Sequence, residues 1–185
     1  SIYKSTDHGN TWIEIKNGLP NSNLGKIGLA ISPFDSTIVY AAVETDRRNG
    51  AVYKTTNSGG NWKKMSDTVS GATGPHYYQE LVASPHVFDK IYLMDTKVQV
   101  SENGGKDFYV MNESDKHVDN HSLTFKMSDP NYLLIGTDGG VYESFDDTNS
   151  WKFVANLPLT QFYKLAVDDA YPFYNIFGGT QDNNT

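Results

Sequence analysis

The segment Thr55-Thr-Asn-Ser-Gly-Gly-Asn-Trp62 sets the fold, because the chain repeats it. Ser5-Thr-Asp-His-Gly-Asn-Thr-Trp12, Ser101-Glu-Asn-Gly-Gly-Lys-Asp-Phe108 and Ser144-Phe-Asp-Asp-Thr-Asn-Ser-Trp151 have the same outline. Each opens on a hydroxyl residue, places Asp or Asn two residues later, and closes on an aromatic. The closing aromatics at 12, 62, 108 and 151 lie 50, 46 and 43 residues apart. A period in this range is one small supersecondary unit that buries its apolar face only by stacking on its neighbours.

The sequence between the boxes repeats as well. A β-rich run precedes each box: Ile2–Lys4, Val52–Lys54, Val98–Val100 and Val141–Glu143. Further upstream come Ile38–Val43, Lys90–Met94 and Tyr132–Ile135, and before those a run ending near Ser32-Pro33, Ser84-Pro85 or Asp129-Pro130. Branched and aromatic runs bounded by Gly, Pro, Asn and Asp read as strands, and no stretch has sustained helical periodicity. Four strands per period, labelled A to D from the axis outward, predict an all-β chain, a β-propeller of four-stranded antiparallel blades. The expected division is a half-blade at 1–20, blades at 21–70, 71–114 and 115–158, and a half-blade at 159–185. The half-blades expose unpaired edges. They are expected to meet the remaining blades of a longer parent chain, to close a four-bladed ring, or to self-associate. Ser1 leads directly into a strand, which favours the longer parent.

Within each box, Asp7, Asn57, Asn103 and Asp146 supply a short acceptor for nearby backbone N–H groups. Gly9, Gly59 and Gly105 permit positive φ. Thr148 replaces glycine in the fourth copy, so a less regular turn is expected there. Trp12, Trp62, Phe108 and Trp151 supply apolar bulk for packing. Alternating Asp, Asn and Gly also suggests calcium, but the second and third boxes carry Asn where the first has Asp, and turn chemistry accounts for the pattern. No metal or cofactor is expected.

Composition narrows the partners. Fifteen basic and 22 acidic residues give a net charge of −7, which argues against nucleic acid. There is no cysteine, hence no disulfide or thiolate site. No apolar run reaches membrane-spanning length, and no signal peptide opens the chain.

If the boxes are the C–D turns, the D–A connections and B–C turns emerge on the opposite face. The D–A connections are Gly74–Gln79, Lys116–His121 and Leu159–Tyr163, and the B–C turns include Asp46–Asn49, Asp95, Thr137–Gly140 and Gly179–Asn183. Tyr77, Tyr78 and Tyr163 are candidate stacking residues for a glycan or polypeptide. Strand alternation places His117, Asp119 and His121 on one side, either as a metal or acid–base cluster or as a hydrogen-bonded lining. Leu123, a core residue on that same side, favours the lining. Asp138 and Asp182 hold matching positions in successive units. They form a catalytic carboxylate pair for glycoside hydrolysis, or each caps its own glycine-rich turn.

The boxes resemble the BNR/Asp-box repeats of sialidases, xyloglucan-hydrolysing enzymes, sortilin-type receptors and plant photosystem assembly factors. His117–Leu123, Ile135–Tyr142, Gln161–Val167 and Gly178–Asn183 together are similar to large secreted bacterial proteins, sortilin-like or glycosyl-hydrolase-like. That resemblance implies a secreted or cell-envelope location and a longer parent, but no established reaction. Sialidases of this type use three arginines, whereas this chain has Arg47 and Arg48, adjacent on one turn. Xyloglucan-cleaving enzymes carry a catalytic Asp in a Thr-Asp-x-Gly-Gly-x-Tyr turn; Thr137-Asp138-Gly139-Gly140-Val141-Tyr142 is one residue shorter between Asp and the glycines. The expected function is therefore a non-catalytic binding or scaffold propeller, with a glycoside hydrolase fragment using Asp138 as the alternative.

Overall fold

A computed structural model of the chain describes residues 1–46, 49–70 and 77–182. The described structure has sixteen strands and no helix. The first whole sheet runs β3 (Ile27–Ile31), β4 (Val39–Asp46), β5 (Asn49–Thr55), β6 (Lys63–Ser66). The second runs β7 (Leu81–Ala83), β8 (Ile91–Leu93), β9 (Gln99–Ser101), β10 (Tyr109–Val110). The third runs β11 (Asn120–Phe125), β12 (Leu133–Thr137), β13 (Gly140–Ser144), β14 (Lys152–Phe153). Every neighbouring pair is antiparallel and consecutive in sequence, as short turns between strands require. Hairpins β1 (Tyr3–Lys4) with β2 (Ile13–Glu14) and β15 (Phe162–Val167) with β16 (Ile176–Thr180) stand at the ends. They form two separate sheets, not the single four-stranded sheet of a closed four-bladed ring.

Cores form at the joints between sheets, because each sheet is too thin to bury its own side chains. Ile2 and Leu19 pack with Val43, Tyr53 and Trp62 at the first joint. Tyr40, Ala42 and Val52 meet Ile91 and Leu93 at the second. Met94, Val98 and Val100 meet Leu123, Leu133 and Ile135 at the third. Leu133 and Ile135 are fully buried, so truncating either to alanine is expected to cost about 2–5 kcal/mol. The last joint is different. Every residue of β15 is exposed, including Phe162, Leu165 and Val167.

The four boxes share one hydrogen-bond design. The opening hydroxyl of Ser5, Thr55, Ser101 and Ser144 accepts the N–H four residues on, at 2.8, 3.1, 2.9 and 3.0 Å. It also donates to the Asp or Asn side chain two residues on, at 2.8–3.0 Å. That side chain in turn accepts the N–H of residues 11, 61, 107 and 150. In the whole sheets the turn is tied to the A–B loop of its own sheet through Ser58 N–Thr37 O, Gly104 N–Asp89 O and Asp147 N–Asn131 O.

Two expectations need correction here. The fourth turn is as regular as the others: Thr148 takes φ 73° and keeps both bonds, because the surrounding hydrogen bonds impose the left-handed geometry on a β-branched residue. Trp12 does not pack like its counterparts. Trp62 is 3% exposed and Trp151 7%, but Trp12 is 61% exposed, since β1–β2 lacks a sheet on its outer side and the indole only bonds back to Gly9 O at 3.0 Å.

Candidate functional site

The connection from β10 to β11 builds the site. Asp119 sits just before β11 in the left-handed region, φ 62°, which Asp tolerates better than most residues. Its N–H donates to Thr96 O at 2.8 Å, and its carbonyl accepts Asp138 N–H at 3.1 Å. One residue thereby joins the B–C turn of the second sheet to that of the third. Pairing of Asn120 with Thr137 and of Ser122 with Gly136 leaves His121 as the extra residue of a bulge. Bulges re-aim side chains, and here the imidazole turns to Asp138, Nε2 to Oδ1 2.9 Å.

Aromatic contacts complete the cluster. The His121 ring stacks on Tyr78, centroids 5.3 Å apart at 22°. Tyr77 meets both rings edge-on, at 5.0 Å to Tyr78 and 5.7 Å to His121. Tyr78 is 2% exposed and its hydroxyl donates to Asp119 Oδ1 at 2.8 Å, so it orients the cluster from within. Burial, with the Asp119 bond second, pushes the Tyr78 phenol well above its ordinary value. Tyr77 is 52% exposed and presents its ring to solvent, which makes it the stacking surface of the pair.

The structure therefore brings together Tyr77, Tyr78, Asp119, His121 and Asp138. It does not place His117, Asp119 and His121 on one strand face: β11 begins at Asn120, Asp119 has left-handed backbone, and the bulge at His121 breaks the two-residue period. Leu123 is core, whereas the His121 side chain is 37% exposed. His117 lies against the same turn, its Nδ1 2.7 Å from Val118 O; a Cβ added at Gly139 would lie 2.5 Å from the His117 Cβ. In the turn that carries Asp138, Thr137 Oγ1 accepts Gly139 N–H at 3.1 Å and donates to Gly140 O at 3.0 Å. Tyr163 lies on β15 and Asp182 just beyond β16, both exposed, with Asp182 at φ 60°. Gly74, Pro75 and His76 of one connection, Arg47 and Arg48 of a B–C turn, and Asn183 lie outside the described residues.

A cleft of about 310 Å³ opens beside Asp138, at the loosely packed last joint. Phe153, Val154, Leu157 and Leu159 wall it, and the Gly139-Gly140 backbone lies along it. Among the described residues that line it, Asp138 is the one with a charge.

Sequence reasoning missed the support beneath this site. Glu113 and Lys116 form a buried ion pair at 3.2 Å, with side chains 4% and 0% exposed. Glu113 Oε1 also accepts Val98 N–H at 2.8 Å and Asn120 Nδ2 at 3.1 Å, and Lys116 Nζ donates to Asn120 Oδ1 at 2.6 Å. Asn120 Nδ2 donates in addition to Thr96 O at 2.9 Å. Burial pulls the Lys116 ammonium below its ordinary value, and Glu113 opposes that pull. The only advance signal was a Glu and a Lys three residues apart in a loop, a spacing with no meaning outside a helix. Among the described residues no group of three or more His, Asp or Glu is placed to hold a metal ion.

No family model matches this chain, and no curated protein sequence matches it. Solved structures do. The GH74 xyloglucanase from Xanthomonas campestris superposes with a TM-score of 0.64 at 19% identity, over 89% of this chain and 28% of that one. The Niastella koreensis GH74 enzyme gives 0.59 at 13%, over 84% and 26%. YCF48 bound to D1 peptide gives 0.51 at 10%, over 91% and 56%. At these identities the likeness establishes the fold alone: the sheets are blades of a β-propeller. This chain spans about a quarter of the GH74 enzymes and about half of the YCF48 chain.

Proposed function

We propose that this chain is a ligand-binding segment of a propeller, taking an extended polypeptide or glycan across the face where Tyr77, His121 and Asp138 meet. The observation that carries the reading is the exposed Tyr77 ring set edge-on to an imidazole that is itself held between Tyr78 and Asp138. A flat aromatic beside oriented polar groups, all fixed by buried supports, is a preorganised recognition surface. The solved complex of YCF48 with a peptide supports a polypeptide over a glycan by fold likeness only. In the same reading the parent protein is exported and supplies further blades.

An array of extended peptides and oligosaccharides probed with the purified chain tests it. Tyr77→Ala and His121→Ala should each weaken the best hit about tenfold or more. An array without hits, or hits indifferent to both substitutions, would count against the proposal.

A second reading rests on Asp138 itself, a half-buried turn carboxylate beside a cleft, as the acid or base of a glycoside hydrolase. Reducing-sugar release from β-glucans that disappears in Asp138→Asn supports this reading, and inactivity of the full parent on these substrates removes it.

A further inference from the structure

Apart from the ligand face, we propose that the two end hairpins complete each other between copies of this chain, β16 of one copy adding to the free edge of β1 in a second. Among the described residues β1 pairs only with β2 and β16 only with β15, so each hairpin keeps one open edge. The halves are complementary. β1 leads into a box as strand C does in the whole sheets, and β15–β16 repeats the A–B pairing of β11–β12, bulge included.

The side chains identify the occupant. A cleft of about 460 Å³ beside β1 is walled by Ile15, Leu29, Ile31, Val39 and Trp62. By register against strand B, the positions of Leu29 and Ile31 are held by Leu81 and Ala83 in the second sheet and by Leu123 and Phe125 in the third. There they pack on strand B of the sheet before: Leu81 joins Tyr40 and Ala42, Leu123 joins Tyr92 and Met94, and the Phe125 and Tyr92 rings lie 5.5 Å apart. Leu29 and Ile31 meet no such strand and are 48% and 62% exposed. The same register makes Phe177 of β16, also exposed, the counterpart of Tyr40 and Tyr92. Set opposite Lys4, as Tyr40 is set opposite Lys54, Phe177 enters the cleft against Ile31. The Tyr40 hydroxyl donates to Asp89 of the following sheet, whereas Thr37 holds the place of Asp89 beside this cleft, which suits a ring without a hydroxyl.

Within one chain the two hairpins belong to separate sheets. Two copies exchanging hairpins carry three whole sheets each and two shared ones, eight blades in all, inside the range of roughly four to eight that propellers span. Closure at two copies occupies every open edge and stops a head-to-tail contact short of a filament.

Light scattering after gel filtration over a concentration series tests the proposal: the mass should rise from 20.6 kDa toward twice that value. Ile31→Asp and Phe177→Asp, both at exposed positions, should each hold the chain at the monomer mass. Mixing the two variants should restore a dimer, because one supplies a native cleft and the other a native hairpin. Hydrogen exchange reads the same contact without substitution: amides of Tyr3–Lys4 and Ile176–Thr180 should slow as concentration rises. A monomer at every concentration overturns the proposal and leaves the cleft to a hairpin of a longer parent chain. A dimer that ignores both substitutions, or that mixing does not restore, overturns the head-to-tail pairing.

Discussion

Each blade ends in two kinds of turn, and they have been put to different uses. At one end of strand C lies the box, built four times with the same three hydrogen bonds whether its acceptor is Asp or Asn. At the other end lies the B–C turn, which differs from blade to blade. Asp95 uses its carboxylate locally, on Thr96 N–H at 2.7 Å and Gln99 Nε2 at 3.0 Å. In the next blade Thr137 bonds across the turn, and Asp138 meets His121. The repeated end makes structure, and the end free to vary gathers the unusual chemistry.

The contrast can be pressed experimentally, beginning with the aromatic anchors. Trp62→Ala should cost about 3–5 kcal/mol in urea unfolding, as for other buried aromatics. Trp12→Ala should cost under about 0.5 kcal/mol, as for an exposed position. Equal losses would mean that the outermost hairpin is covered in solution. Next in size are the hydroxyls. Ser101→Ala and Thr55→Val each leave a buried N–H unpaired, at Gly105 and Gly59, and should cost about 1–3 kcal/mol. Ser5→Ala, whose bonded N–H is exposed, should cost visibly less.

Smaller still is the backbone effect at the fourth box. Thr148→Gly relieves a left-handed threonine and should raise stability by about 0.5–1 kcal/mol, part of the relief being lost to added freedom in the unfolded chain. No gain would show that the turn holds Thr148 without strain. Subtlest is pH. The side-chain bond from Thr11, reinforced by its N–H, lowers the Asp7 carboxyl from 3.8 to about 2, and Ser150 lowers Asp146 in the same way. A depressed carboxyl contributes stability above its unfolded value, and that contribution fades as pH falls through the folded one. Stability should therefore decline from about pH 4 to pH 2, and the double variant Asp7→Asn with Asp146→Asn should flatten the decline. An unchanged slope would assign acid sensitivity to other carboxylates.

The boxes also record a pairing that was present in the sequence and not recognised. Asp7 and Asp146 are followed four residues later by a hydroxyl donor, Thr11 or Ser150, each donating at 2.6 Å. Asn103 is followed instead by the acceptor Asp107, to which its Nδ2 donates at 2.9 Å. Acceptor and donor exchange places and the turn is conserved in shape. Strand order was legible because local spacing encodes it. At the site, Tyr77, Asp119, His121 and Asp138 were placed on one face, but their contacts with one another were not legible. Period two failed at 117–121, where a left-handed residue and a bulge intervene.

Repetition alone determined the propeller class: an Asx turn and a branched strand act through neighbours a few residues away, so their effect can be read along the chain. What faces what was decided only in three dimensions. The stacking of His121 on Tyr78 and the buried Glu113–Lys116 support join residues from different blades, and the His121–Asp138 contact depends on a bulge within one blade. Such contacts depend on how rigid sheets settle against one another, and no local pattern encodes that arrangement.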